Sequence, residues 1–215
     1  MNETRHREII SGEARGPTAS LARLSLAGLS LAYRLGVAVR NLSYDTGLKK
    51  SHLAGVPVVS VGNVTAGGTG KTPMVAWIAD WFIQRQIRVA LLSRGYRAIE
   101  GHANDEKLVL DRLLPGVPHI QQPDRVAAAH RATLEERAEL LVLDDGFQHR
   151  RLARDLDIVL VDALNPWGYG RLLPAGLLRE PISALARADV VIITRADQVS
   201  TERRQEIASL IRQYR

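Results

Sequence analysis

Five short runs of almost continuous apolar, largely β-branched residues constrain the fold most. They are 56–61 (VPVVSV), 87–93 (IRVALLS), 139–144 (ELLVLD), 157–162 (DIVLVD) and 189–194 (DVVIIT). Stretches of helical character at about 72–84, 124–138 and 200–214 alternate with them. Strands without a polar face must be covered on both sides, so the pattern predicts a parallel sheet with helices on both faces. The expected architecture is a three-layer α/β domain over residues 51–215. With 215 residues, 46% of them hydrophobic, the chain has enough material to bury such a core.

The first of these runs leads into Ser60-Val61-Gly62-Asn63-Val64-Thr65-Ala66-Gly67-Gly68-Thr69-Gly70-Lys71-Thr72-Pro73. A glycine-rich turn between a strand and a helix lets successive backbone N–H groups converge where the helix dipole favours an anion. In such a loop Lys71 reaches the β- and γ-phosphates of a nucleotide, and the Thr72 hydroxyl ligates Mg²⁺. Residues Ala66, Gly67, Gly68, Thr69, Gly70, Lys71, Thr72 and Pro73 are therefore the expected nucleotide-binding set, and the sheet is expected to be P-loop NTPase-like. Thr65 stands where the usual pattern has its first glycine. A β-carbon suits a tight positive-φ turn poorly, so the start of this loop is expected to depart from the common shape.

A phosphate loop needs an acid at the end of a neighbouring strand to help hold the metal. The run LLVLDD ends in Asp144 and Asp145, which makes that pair the second expected part of the metal site with Thr72. The run DVVIIT is followed by Thr194-Arg195-Ala196-Asp197, which is similar to the element with which P-loop GTPases recognise guanine. A GTPase, or a membrane-associated nucleotide-binding module without transfer activity, is the competing reading.

The chain carries a net charge of +6. Residues 1–50 hold eight Lys/Arg against four acids, or +4 of that total. Aromatic residues make up only 5% and do not interleave with the basic ones, which argues against nucleic acid as the anionic partner. The absence of cysteine excludes disulfides and thiolate metal sites. Residues 1–17 read as a loose polar leader. Residues 18–40 contain no proline and read as a helix whose polar stripe runs Arg23, Ala27, Ser30, Arg34 and Asn41. Its longest uncharged run, 24–33, is short for a membrane span, which needs about 20 apolar residues. The helix either packs an apolar stripe on the domain or lies in a lipid headgroup region with its arginines at phosphates.

Taken in order, several segments together resemble the lipid A 4′-kinase family, tetraacyldisaccharide 4′-kinase. They are residues 33–44, Gly47, residues 57–63, Gly67-Gly68-Thr69-Gly70-Lys71-Thr72-Pro73, Ser93-Arg94-Gly95-Tyr96, Asp144-Asp145-Gly146-Phe147-Gln148-His149, Gly170-Arg171-Leu172-Leu173-Pro174-Ala175-Gly176 and Leu178-Arg179-Glu180-Pro181. That family lacks the usual first loop glycine, in agreement with Thr65. The resemblance implies transfer of the ATP γ-phosphate, with Mg²⁺, to the 4′-hydroxyl of a tetraacyl disaccharide 1-phosphate. It implies a peripheral location at the cytoplasmic face of the inner membrane, with residues 18–40 on an anionic membrane surface. It also implies Asp105, in Asn104-Asp105-Glu106-Lys107, as the base that receives the hydroxyl proton, although both neighbours of Asp105 depart from the family's Gly-Asp-Glu-Pro. Arg171 is the expected partner of the γ-phosphate or of the substrate phosphate, and His149 is either functional or structural. The family has a second lobe with a histidine that pairs with the aspartate. Residues 1–215 alone are therefore expected to bind nucleotide and to phosphorylate lipid weakly or not at all.

Overall fold

The computed structural model describes residues 3–95 and 105–214; the side chains of Asp105 and Glu106 lie outside the described part. Six strands form one parallel sheet: β1 (Val58–Asn63), β2 (Val89–Ser93), β3 (His119–Gln121), β4 (Leu140–Asp144), β5 (Leu156–Asp162) and β6 (Val190–Thr194), in the order β3-β2-β4-β1-β5-β6. Five correspond to the apolar runs. The sixth, β3, has only Ile120 buried among three residues, too little for a periodic signal.

The pleat divides the sheet between two cores. Val59, Val61, Leu91, Val142, Ile158 and Leu160 meet the helix α3 (Lys71–Ile83), with Leu110 of α4 (Asp105–Leu113) in the same cluster. On the other face Ala90, Leu92, Leu141 and Leu143 meet α5 (Arg125–Leu134), while Val159 and Val161 meet α6 (Thr201–Arg212). The structure is thus the expected three-layer α/β arrangement. Helix starts are chemically marked. Asp124 accepts from Val126 N and Ala127 N at 3.0 and 3.2 Å, and Ser200 accepts from Arg203 N at 3.3 Å.

The N-terminal region departs from expectation. The leader read as loose contains the helix α1 (Glu3–Ser11), whose Ile9 packs with Ala14 and with Ala19 of α2 (Pro17–Asp45). Helix α2 has 29 residues, about 43 Å at 1.5 Å per residue, and by length and composition is apolar enough to cross a membrane. Only 6% of its most apolar window is buried.

Helix α2 is docked by its polar side, and the apolar side faces out. Arg23 Nη1 donates to Ala14 O at 2.8 Å, Ser30 Oγ to Leu172 O at 2.9 Å, and Tyr33 OH to Arg179 O at 3.0 Å. Asn41 Nδ2 donates to Glu180 Oε2 at 2.8 Å, and Arg40 pairs with the same carboxylate at 3.1 Å. Leu21, Leu24, Leu31, Leu35, Val39 and Leu42 are exposed on the opposite side. Packing of the apolar stripe on the domain is thereby corrected.

Candidate active site

The phosphate loop connects β1 to α3 at the carboxyl end of the sheet. Gly67 and Gly70 take positive φ of 126° and 84°, conformations that glycine adopts without cost. Thr65 needs no such angle, because it forms an antiparallel bridge with Leu178. The flanking bonds complete the pairing: Ala66 N donates to Leu177 O at 2.6 Å and Arg179 N to Val64 O at 2.7 Å. The first part of the loop is therefore a strip of extended chain, in which a threonine fits. Beyond it, the N–H groups of Gly67, Gly68, Thr69, Gly70, Lys71 and Thr72 meet no protein acceptor among the described residues. At the first turn of a helix this makes a concave set of donors suited to an anion.

Lys71 Nζ lies 3.5 Å from Asn63 Oδ1 and 3.7 Å from Asp145 Oδ1. Asn63 is buried and anchors the loop by donating from Nδ2 to Thr65 O at 2.6 Å. Asp144 is buried at the end of β4, where it is in register with Val61 of β1. Asp145 follows in the left-handed region, at φ 54°.

Asp145 is held by an arginine to which the sequence reading gave no role. Arg179 Nη1 reaches both carboxylate oxygens at 2.7 Å. Burial raises the Asp145 carboxyl, but the Arg179, Lys71 and Arg125 charges and the Arg179 hydrogen bond outweigh it. The group lies below its ordinary value and is ionised at neutral pH. Gln148 completes the corner, donating from Nε2 to Asn63 O at 2.9 Å and accepting from Arg179 at 3.4 Å.

Close approach here requires a glycine. A β-carbon at Gly146 would meet Ser60 Oγ at 2.4 Å and Leu143 at 2.7 Å. Arg154 then gathers the turn after β4. It donates to the carbonyls of His149, Leu152, Gly146 and Phe147 and to Asp157 Oδ2 at 2.8 Å.

The remaining expected residues fall in different places. Asp105 begins α4; its side chain lies outside the described residues. That helix is tied to the sheet through Asp111, which accepts from Lys107 at 2.5 Å and faces His119 Nδ1 at 3.5 Å. His119 Nε2 lies 2.8 Å from Ser93 Oγ. Arg171 is not gathered with Lys71 and Asp145. It is exposed, without a described partner, and lines a cavity of about 540 Å³ against α2 with Arg34, Ser30, Leu31, Ile182 and Tyr214. His149 is half-buried, and burial together with the Arg125 and Arg154 charges lowers its pKa to about 4. It is neutral at pH 7, and its buried Nε2 meets no hydrogen-bond partner among the described residues.

Two residues of the site escaped the sequence reading. Arg125 is almost fully buried, donates to Gln122 O and Pro123 O, and feels the charges of Asp144 and Asp145. In sequence it reads as an ordinary first residue of a helix after a capping aspartate. Arg179 sits in Leu-Arg-Glu-Pro, where its position in a recurring segment was the only signal.

Thr72, in the first turn of α3, and Asp144, at the end of β4, supply a hydroxyl and a carboxylate, hard oxygen donors of the kind Mg²⁺ takes alongside phosphates. These two fit such an ion. Asp145 is committed to Arg179 and Lys71.

The model of the tetraacyldisaccharide-1-P 4′-kinase family matches residues 22–215. A tetraacyldisaccharide 4′-kinase of Anaeromyxobacter sp. (strain Fw109-5) is 48% identical over 195 residues, covering 83% of this chain and 52% of that protein. One of Halothermothrix orenii is 42% identical over 220 residues, covering 93% of this chain and 57% of its own. The chain thus spans a little over half the length of these relatives. Among solved structures, LpxK from Aquifex aeolicus in complex with ATP superimposes with a TM-score of 0.75 at 38% identity, over 82% of this chain and 60% of that one. The chain belongs to the tetraacyldisaccharide-1-P 4′-kinase family.

Proposed function

We propose that this chain carries the nucleotide-binding and phosphoryl-transfer half of a kinase that phosphorylates the 4′-hydroxyl of a tetraacyl disaccharide 1-phosphate with ATP. The observation that carries the reading is the loop 67–72, with its unclaimed N–H groups converging beside Lys71 and the Asp144/Asp145 pair. A triphosphate supplies the acceptors that these donors lack. The ATP-bound relative of the same fold supports the choice of nucleotide.

Phosphoryl transfer depends on positioning and charge neutralisation. Lys71 and the loop amides hold the β- and γ-phosphates, and Arg179 and Lys71 keep Asp145 ionised and in place. Thr72 and Asp144 would hold a Mg²⁺ ion, which would supply charge neutralisation on the phosphate oxygens. The sugar O4′ forms a bond to the γ-phosphorus, the bond from that phosphorus to the β–γ bridging oxygen breaks, and ADP leaves. Asp105 receives the O4′ proton.

The substrate's acyl chains give α2 its role. The apolar side, turned away from the domain, rests in the headgroup region of an anionic membrane, and the polar side holds the kinase core. A helix bonded to the domain from Ser30 to Asn41 lies along the surface and does not cross it. Arg34 and Arg171, without a partner among the described residues in a cavity beside Leu31, are placed for lipid phosphates. The site of action is then the cytoplasmic face of the inner membrane, where ATP is available.

The test is transfer of labelled phosphate from ATP to the disaccharide lipid by the longest form the gene encodes, beside its Lys71→Ala variant. Transfer by the wild type and a loss of about 10² or more in the variant are expected. Absence of transfer by the wild type, or transfer undiminished in the variant, overturns the reading.

A further inference from the structure

The phosphate loop is gripped from outside by residues that end β6. Thr194 Oγ1 donates to Thr69 O at 3.0 Å, and Arg195 Nη2 donates to Gly68 O at 2.8 Å. The same nitrogen of Arg195 is paired with Asp162 Oδ2, at the end of β5. Asp162 is itself buried. These are the Thr-Arg pair of the segment that resembles a guanine-recognition element, and neither belongs to the catalytic cluster around Lys71.

A trans peptide unit is planar and presents its C=O and N–H in opposite directions. The carbonyl of Gly68 shares a peptide plane with the N–H of Thr69, and the carbonyl of Thr69 shares one with the N–H of Gly70. Pinning both carbonyls to β6 turns both N–H groups the other way. They are two of the donors without a protein acceptor. Glycines give the loop its shape but also let it take others, since they barely restrict φ and ψ. Something outside the loop must choose the orientation. The described contacts to these two carbonyls come from Thr194 and Arg195.

We propose that Arg195, anchored by Asp162 and assisted by Thr194, is a positioning residue that aims the Thr69 and Gly70 amides at the nucleotide's phosphates. The proposal rests on the nucleotide-binding reading of the loop. Arg195 acts through the backbone, so its contribution belongs to the polyphosphate and not to the base. The Asp162–Arg195 pair is one unit, because the carboxylate holds the guanidinium that holds the carbonyl.

The experiment measures binding of ATP and of inorganic tripolyphosphate by competition with a fluorescent ATP analogue, in the longest form the gene encodes. The variants are Arg195→Ala, Arg195→Lys, Asp162→Asn, the Arg195→Ala/Asp162→Asn double and Thr194→Val, each checked for folding by circular dichroism. Arg195→Ala is expected to weaken ATP and tripolyphosphate alike, by about tenfold, the loss of roughly one well-placed hydrogen-bonding arrangement. Asp162→Asn should reproduce most of that loss, and the double variant should add little to it. Arg195→Lys should recover part, since Nη2 alone makes both contacts and an ammonium has donors for Gly68 O and Asp162 but a different reach. Thr194→Val, which is close in shape, should show a smaller loss and remains informative if Arg195→Ala does not fold. A folded Arg195→Ala or Thr194→Val with unchanged affinities overturns the proposal. So does a loss confined to ATP with tripolyphosphate unaffected, which would assign Arg195 to the base. Failure of the wild type to bind ATP or tripolyphosphate instead removes the nucleotide-binding reading itself.

Discussion

Arg179 Nη1 lies 2.7 Å from each carboxylate oxygen of Asp145, and Lys71 stands 3.7 Å from the same group. One acid thereby links the phosphate-loop lysine to a segment more than 100 residues downstream. The backbone N–H of the same Arg179 pairs with Val64 O at the start of the loop. The contacts around one arginine thus hold both the loop and the acid beside it.

Replacing Arg179 with alanine removes the counter-charge and leaves Asp145 as the nearest acid to Lys71. The lysine is then drawn toward the carboxylate and away from phosphate. A drop of about 10²-fold in kcat is expected, with a smaller change in the KM for ATP because the loop amides remain. Steady-state kinetics of the full-length variant checks this; Arg179→Lys should restore part, since Nη1 alone makes both contacts to Asp145 and an ammonium keeps the counter-charge.

His149 makes the fold sensitive to mild acid. Its pKa is near 4 in the folded chain and about 6.5 when unfolded. The unfolded state therefore binds the proton first, and stability is full above pH 6.5 and declines as pH falls toward 4. The loss reaches about 3 kcal/mol. Urea unfolding at pH 7.5 and pH 4.5 should show a steeper acid loss for the wild type than for His149→Gln.

Glu180 is fully buried between Arg40, Arg187 and Asn41, and it joins α2 to the core. Glu180→Ala leaves two arginines facing each other and should cost about 3–5 kcal/mol. A fall in Tm of roughly 6–20 °C is the expected readout, at about 2–4 °C per kcal/mol for a domain of this size.

The outward leucines of α2 can be changed without touching the docked side. Leu21, Leu24 and Leu35 are each about two-thirds exposed. Replacing all three with serine should leave Tm unchanged and reduce binding to phosphatidylglycerol-containing vesicles by more than tenfold, since each inserted leucine contributes about 1.5 kcal/mol or more. Arg34→Gln with Arg171→Gln should instead remove the preference for anionic over neutral vesicles, at about 1 kcal/mol per arginine. Equal flotation of wild type and the leucine variant would end the interfacial reading.

Much of the architecture is legible in local pattern. Strands β1, β2, β4, β5 and β6 and helices α3, α5 and α6 coincide with apolar runs and helical stretches of ordinary length, and Gly-Lys-Thr marks the junction between the loop and α3. The short elements are not legible in this way. Strand β3 has one buried residue, α1 carries two apolar positions, and α4 is only nine residues long. Long-range partners are hidden as well. Nothing near Arg179 or Arg195 in the chain announces Asp145 or Gly68, which are 34 and 127 residues away.

Composition and spacing alone determined that this chain forms a covered parallel sheet with a glycine-rich loop at the carboxyl end of its first strand and an amphipathic helix before it. Those properties depend on the period of side chains along a single segment, and that period is local. Which face of α2 meets the core was decided only by the tertiary structure, because Glu180 and the carbonyls of Leu172 and Arg179 supply hydrogen-bonding partners that the helix's leucines cannot use. The positions of Arg171 and Arg179 were decided in the same way. The two lie eight residues apart, yet one lines a cavity on α2 and the other closes on Asp145. Charge type is written in the sequence, whereas the partner of a charge is set by what the fold brings within about 4 Å of it.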